Sequence, residues 1–121
     1  MEHPSPSETA IYFQELYRAF NTRRIDTVLA SLVENVDWPN GMESGRIQGK
    51  ANVREYWLRQ WKEIDPLVEP IEISTMANGE IKVRVHQLVR DHTGHILMDL
   101  QLLHVYRIEH GLISRMEIVE V

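Results

Sequence analysis

The chain has no cysteine, which excludes disulfides, thiolate metal sites and a cysteine nucleophile. Also missing is any apolar run approaching the roughly 20 residues that a membrane span needs, so no membrane partner is expected. The opening Met1-Glu2-His3-Pro4-Ser5-Pro6 carries neither the basic nor the apolar region of a secretory signal, and a cytoplasmic setting is the expectation. Lys and Arg number 13 against 18 Asp and Glu, and the 13 are scattered rather than bunched. With that net charge of −5 there is no footprint for a phosphate backbone, and nucleic acid is not an expected partner. Repeats, low-complexity tracts and long linkers are absent too, and only residues 1–5 look loose.

What remains is an ordinary globular composition, 43% apolar and 26% charged. At 121 residues it reads as one domain spanning residues 1–121, long enough to bury about two thirds of the surface its unfolded form would expose.

Ser5-Pro6-Ser7-Glu8 has the cap, the first-turn proline and the glutamate three residues later that open a helix. Ala10, Phe13, Leu16, Tyr17 and Phe20 then form one apolar stripe ending near Asn21. A second, shorter helix comes next, with Ile25, Val28, Leu29 and Leu32 as its buried side. From Lys50 to Ile64, Val53, Trp57, Trp61 and Ile64 mark the inner face of a third helix, which Asp65-Pro66 stops. Beyond it the period changes to two, and strands are expected at about Leu67 to Met76, Glu80 to Asp91, His95 to Ile108 and Leu112 to Val121.

Alternation assigns faces. Ile96, Met98, Leu100, Leu102, His104, Tyr106 and Ile108 share one side of the third long strand, the expected core side. Leu97, Asp99, Gln101, Leu103, Val105 and Arg107 take the other, where Arg84 or Arg90 is the expected partner of Asp99. Helices followed by an antiparallel sheet make an α+β arrangement. Apolar residues on the outer sheet face (Leu88, Leu97, Leu103, Val105) call for a cover, and a sheet-to-sheet homodimer supplies it.

The segment Val36-Asp37-Trp38-Pro39-Asn40, then Gly45-Arg46-Ile47-Gln48-Gly49-Lys50 opening the third helix, and Glu109-His110-Gly111 turning into the last strand, resembles the nuclear transport factor 2-like, or ketosteroid-isomerase-like, superfamily. The resemblance covers nearly the whole chain and rests on the order of the elements. It implies a cone: three N-terminal helices packed on a curved antiparallel sheet, enclosing an apolar pocket for a small molecule. No cofactor is expected, and no metal, since no second cluster of ligands is in sight. Fold alone does not choose a reaction.

Carried over position by position, the isomerase base before the hairpin proline falls on Trp38, with Asp37 one residue earlier and so on the opposite strand face. The oxyanion tyrosine falls at about Leu16, beside Tyr17. The second oxyanion donor, a carboxylic acid in those isomerases, falls on His104, which can donate a hydrogen bond without an unusual pKa. His104, with Tyr106 and Asp37, is therefore the candidate catalytic set. Trp38, Asn40, Tyr17, Trp57, Trp61 and Gln87 are the candidate ligand contacts.

Each has a plainer role: a core histidine paired with backbone, tryptophans as packing, Asn40 as a loop cap, Gln87 in a cross-strand bond. Asp91-His92-Thr93-Gly94-His95 reads as a hairpin loop rather than a metal cluster. Three functions fit this pattern: proton-transfer chemistry such as isomerisation, dehydration or cyclisation; ligand binding without turnover; or an interaction module whose pocket the tryptophans fill.

Overall fold

The computed structural model describes residues 5–121, so of the expected loose start only Ser5 lies within it. Ser5 is the N-cap of α1 (Pro6–Asn21), its Oγ accepting the Glu8 N–H at 3.2 Å. After α1 come α2 (Ile25–Leu29), β1 (Leu32–Pro39), β2 (Arg46–Gln48), α3 (Lys50–Glu63), β3 (Asp65–Thr75), β4 (Ile81–Arg90), β5 (Ile96–Glu109) and β6 (Leu112–Glu120). The expected boundaries are met within two residues in most elements. Leu32, assigned from sequence to the second helix, instead opens β1, because the chain leaves α2 at Ala30 and pairs with the last strand at once.

Six strands form one sheet in the order β2-β1-β6-β5-β4-β3. It is mixed rather than wholly antiparallel: β1 runs parallel to β6, and every other pair is antiparallel. No helix among the described residues is long and apolar enough to cross a membrane.

The helices cover one face because their apolar stripes match its inward positions. Phe13, Val53, Trp57, Val83, Val85 and Tyr106 are essentially inaccessible, each such burial contributing roughly 1.5–3 kcal/mol. Asn21, at the end of α1, ties that layer to the sheet edge: its amide donates to the Val68 carbonyl at 2.8 Å and accepts the Val68 N–H at 2.9 Å. This satisfies backbone groups that an edge strand leaves open.

Two departures from simple alternation matter. A register shift between Val89 and Arg90 sets Met98 opposite Val89 but Ile96 opposite Arg90, leaving Leu97 as an extra residue in β5. Ile96 is thereby turned from the expected core side, and Leu97 from the expected dimer face. Met98 and Leu100 also remain exposed, while burial sets in from Leu102 onward.

On the outer face Asp99 pairs with His86, Nε2 to Oδ1 at 2.6 Å, and not with Arg84 or Arg90. Asp99 stands opposite Leu88, so the diagonal neighbour His86 is the one in reach. Nearer β1, Asp37 accepts from Arg46 Nε at 2.7 Å and from Arg115, joining β2, β1 and β6. Replacing Asp37 with Asn should lower unfolding free energy in urea by about 1 kcal/mol. An unchanged urea midpoint would show that water serves these arginines equally well.

Candidate functional site

Between the sheet and the helices lies a cavity of about 320 Å³. α1 contributes Leu16, Tyr17 and Phe20; β1 contributes Trp38; α3 contributes Tyr56, Trp57 and Gln60; the sheet adds Gln87, Val89, Leu97, Met98, His104, Tyr106, Met116 and Ile118. Tyr17, Trp57, His104 and Tyr106 are buried, whereas Leu97, Met98 and Ile118 keep substantial exposure. The lining thus runs from an aromatic, hydroxyl-bearing interior to an apolar lip. No Asp, Glu, Lys or Arg lines it.

Three polar side chains form a buried chain. The Tyr17 hydroxyl lies 2.8 Å from His104 Nδ1 and 2.7 Å from the Tyr106 hydroxyl. Helical spacing aims Tyr17 at the sheet, in the stripe with Phe13 and Leu16. Alternation along β5 puts His104 and Tyr106 side by side on the inner face, their ring centroids 6.3 Å apart. The other imidazole nitrogen, Nε2, is buried without a partner among the described residues. A buried polar atom left open is costly, and here it belongs to a residue that lines a cavity.

Burial dominates the electrostatics. It pushes the His104 imidazole down to about 4 from its ordinary 6.5. Desolvation likewise raises the Tyr17 hydroxyl well above 10.0, and burial raises Tyr106 too. Near neutral pH the cavity therefore presents a neutral imidazole and two neutral hydroxyls. Such groups can orient a carbonyl or hydroxyl and donate to an oxygen that gains negative charge.

Several candidate residues meet at this place: His104, Tyr106, Tyr17, Trp38, Trp57 and Gln87. Tyr17 lies one residue beyond Leu16, the position counted from the resemblance, and both line the cavity. Three candidates do not join them. Asp37 points to the outer face with its two arginines, because Trp38, the next residue, points in. Asn40 caps its own loop, its Oδ1 accepting the N–H groups of Met42 and Glu43 at 3.2 and 2.9 Å. Trp61 packs on Phe20 and beneath the Arg23 guanidinium, 5.1 Å from its ring, beyond the cavity wall.

Sequence reasoning missed Tyr56 and Gln60. Each lies one position before a residue of the stripe read for α3, Tyr56 before Trp57 and Gln60 before Trp61, and the Tyr56 hydroxyl accepts from Gln60 Nε2 at 3.3 Å and from the Gly41 N–H at 2.9 Å. A Cβ at Gly41 would stand 3.2 Å from that hydroxyl, so the glycine lets the loop sit close over the cavity. Among the described residues no three His, Cys, Asp or Glu side chains stand together to hold a metal. The 91–95 loop is closed by Asp91 Oδ1, which accepts the N–H groups of Thr93 and His95.

A curved sheet roofed by three helices around such a cavity defines the nuclear transport factor 2-like class of domain. More narrowly, residues 13–116 match the model of the SnoaL-like domain, and the chain belongs to that family. Among solved structures, an NTF2-like protein of unknown function from Burkholderia pseudomallei superposes with a TM-score of 0.79 at 26% identity, over 93% of this chain and 90% of that one. A Mycobacterium tuberculosis protein in complex with estradiol-17beta-hemisuccinate gives 0.75 at 20% identity, over 89% of each chain. A computationally designed 17-OHP binder gives 0.78 at 20% identity, over 93% and 92%. The last two likenesses are of fold. Among curated proteins none matches the sequence significantly.

The depressed His104 pKa ties stability to pH with a definite sign. As pH falls below 6.5 the unfolded chain takes up a proton that the folded protein refuses until about 4, so stability drops across that window. Urea unfolding between pH 6.5 and 4 should show a loss of up to about 3 kcal/mol in the parent that is absent from His104→Phe. Parallel curves for the two proteins would place the imidazole in contact with water.

Proposed function

We propose that this protein binds a small, neutral, mostly apolar organic molecule in the cavity, with His104 as its main polar contact and Tyr106 as an auxiliary one. The observation that carries the reading is that the buried Nε2 of His104 has no hydrogen-bond partner among the described residues, in a residue that lines a cavity without charge. An apolar enclosure with few convergent polar groups is the usual form of a small-molecule site. The fold neighbours, one in complex with an estradiol hemisuccinate and one designed to bind 17-OHP, support a mostly apolar organic ligand. Trp38 and Trp57 are the aromatic walls, and Gln87 is a further amide within the lining.

A bound ligand has two possible fates, turnover or simple retention. If the protein turns its ligand over, the groups suit proton-transfer chemistry of the isomerisation, dehydration or cyclisation type, with neutral His104 donating to the developing oxyanion. The lining has no carboxylate base, and an imidazole held near about 4 is a weak base. That favours binding without turnover. A module whose tryptophans fill the pocket has less support, because Trp38 and Trp57 border open space.

Quenching of tryptophan fluorescence by neutral aromatic ketones and phenols provides the test. His104→Phe should weaken their binding by about 1–3 kcal/mol, roughly 5- to 150-fold, and leave hydrocarbons of the same shape unaffected. Equal loss for both classes would make His104 a packing residue.

The homodimer belongs to the same proposal. Leu88, Leu103 and Val105 are half-buried on the outer sheet face beside the more exposed Val119, with Lys82, Arg84, His86 and Asp99 around them. A self-complementary contact across a two-fold axis would cover the apolar strip and set charges of both signs opposite one another. Sedimentation at micromolar concentration should give twice the chain mass, and Leu103→Arg should reduce it to a monomer. A monomer mass for the parent protein would remove the dimer from the reading.

A further inference from the structure

The His104–Tyr17–Tyr106 chain holds a fixed number of protons, and its connectivity limits where they can go. A neutral imidazole carries one ring proton and each tyrosine one hydroxyl proton. Two of these three are consumed by the links from Tyr17 to His104 and from Tyr17 to Tyr106. One proton is left over. It can sit on Nε2, on the free side of the Tyr106 hydroxyl, or on Tyr17, whose oxygen then accepts from both neighbours. In none of these arrangements do Nε2 and the Tyr106 hydroxyl both donate outward.

Resting on the proposed cavity function, we infer that this coupled chain is a specificity element: it gives a ligand one donor at most across its two ends, and so selects a molecule offering a hydroxyl together with a carbonyl, such as a conjugated hydroxy-ketone or an enolised dicarbonyl, over a diketone or a quinone. A hydroxy-ketone satisfies both ends, its carbonyl accepting the spare proton and its hydroxyl donating to the other end. A molecule with two carbonyls leaves one of them facing a lone pair in a cavity without charge, where an unmatched polar group is costly. The count holds near neutral pH because burial keeps the imidazole from taking a second proton.

Tyr17 sets this rule although it is not itself one of the ends. Without its hydroxyl both links vanish, and Nε2 and the Tyr106 hydroxyl are each free to donate. Tyr17→Phe should therefore accept the very ligands that the parent protein rejects.

The test compares para-hydroxyacetophenone with para-diacetylbenzene, two neutral probes on one skeleton, by fluorescence quenching near pH 6.5. The parent protein should favour the hydroxy-ketone by about tenfold. In Tyr17→Phe the ratio should fall to within about threefold, with the diketone binding more tightly than it does to the parent. Tyr106→Phe removes one end and one proton, so it should lose the preference without tightening the diketone. That variant keeps the test decisive if Tyr17→Phe fails to fold. Binding of both probes to the parent with equal affinity would overturn the inference and leave the cavity reading standing. Binding of neither, in parent and variants alike, would overturn the cavity reading and this inference with it.

Discussion

The hydroxyl of Tyr17 joins the helical layer to the sheet through fully buried polar atoms, deeper in the protein than the Asn21 bonds at the sheet edge. Everything around it is apolar: Phe13 packs on Tyr106 with ring centroids 4.8 Å apart, and Trp38 stands across Trp57 at 5.3 Å. Hydrophobic packing brings α1 onto β5 with little preference for direction. The bonds from Tyr17 to His104 and Tyr106 add that preference, since a shift along the helix would strand polar groups in the core. The same three residues are those that a cavity ligand would meet.

Charge is partitioned between the two faces of the sheet. Outside, Asp37, Arg46, Arg115 and Glu117 lace β2, β1 and β6 together, and His86 pairs with Asp99 between β4 and β5. Inside, the cavity has no formal charge, and desolvation pushes His104 and both tyrosines toward their neutral forms. Coulomb interactions are strong where water is excluded, so an isolated carboxylate would have dominated this space. Without one, hydrogen-bond sense becomes the main polar variable that the wall can impose on a ligand.

At 20% identity the protein in complex with an estradiol hemisuccinate and the designed 17-OHP binder share this chain's fold, and fold alone does not fix what an interior does. In this chain the curved sheet and the helices leave a space whose chemistry depends on a few inward positions. In this chain those positions carry indoles, phenols, amides and one imidazole.

Much of this was legible from residue periodicity. The helical stripe Phe13, Leu16, Tyr17 and the alternation Leu102, His104, Tyr106 sort residues by face without coordinates, because 3.6 and 2.0 are fixed by backbone geometry. The inward Trp38 and outward Asp37 obey the same rule. What alternation could not give was any feature set by contacts between distant segments. The extra residue at Leu97, the parallel pairing of β1 with β6, Tyr56 over Gly41 and the retreat of Trp61 from the cavity all depend on how layers seat against each other. So does the joining of Tyr17 to His104, two residues 87 positions apart. Along α1, β1 and β5 from Leu102 onward, sequence determined which side chains face inward, through local backbone period; only tertiary packing decided which of them touch, because that depends on the register and tilt of α1 on the sheet.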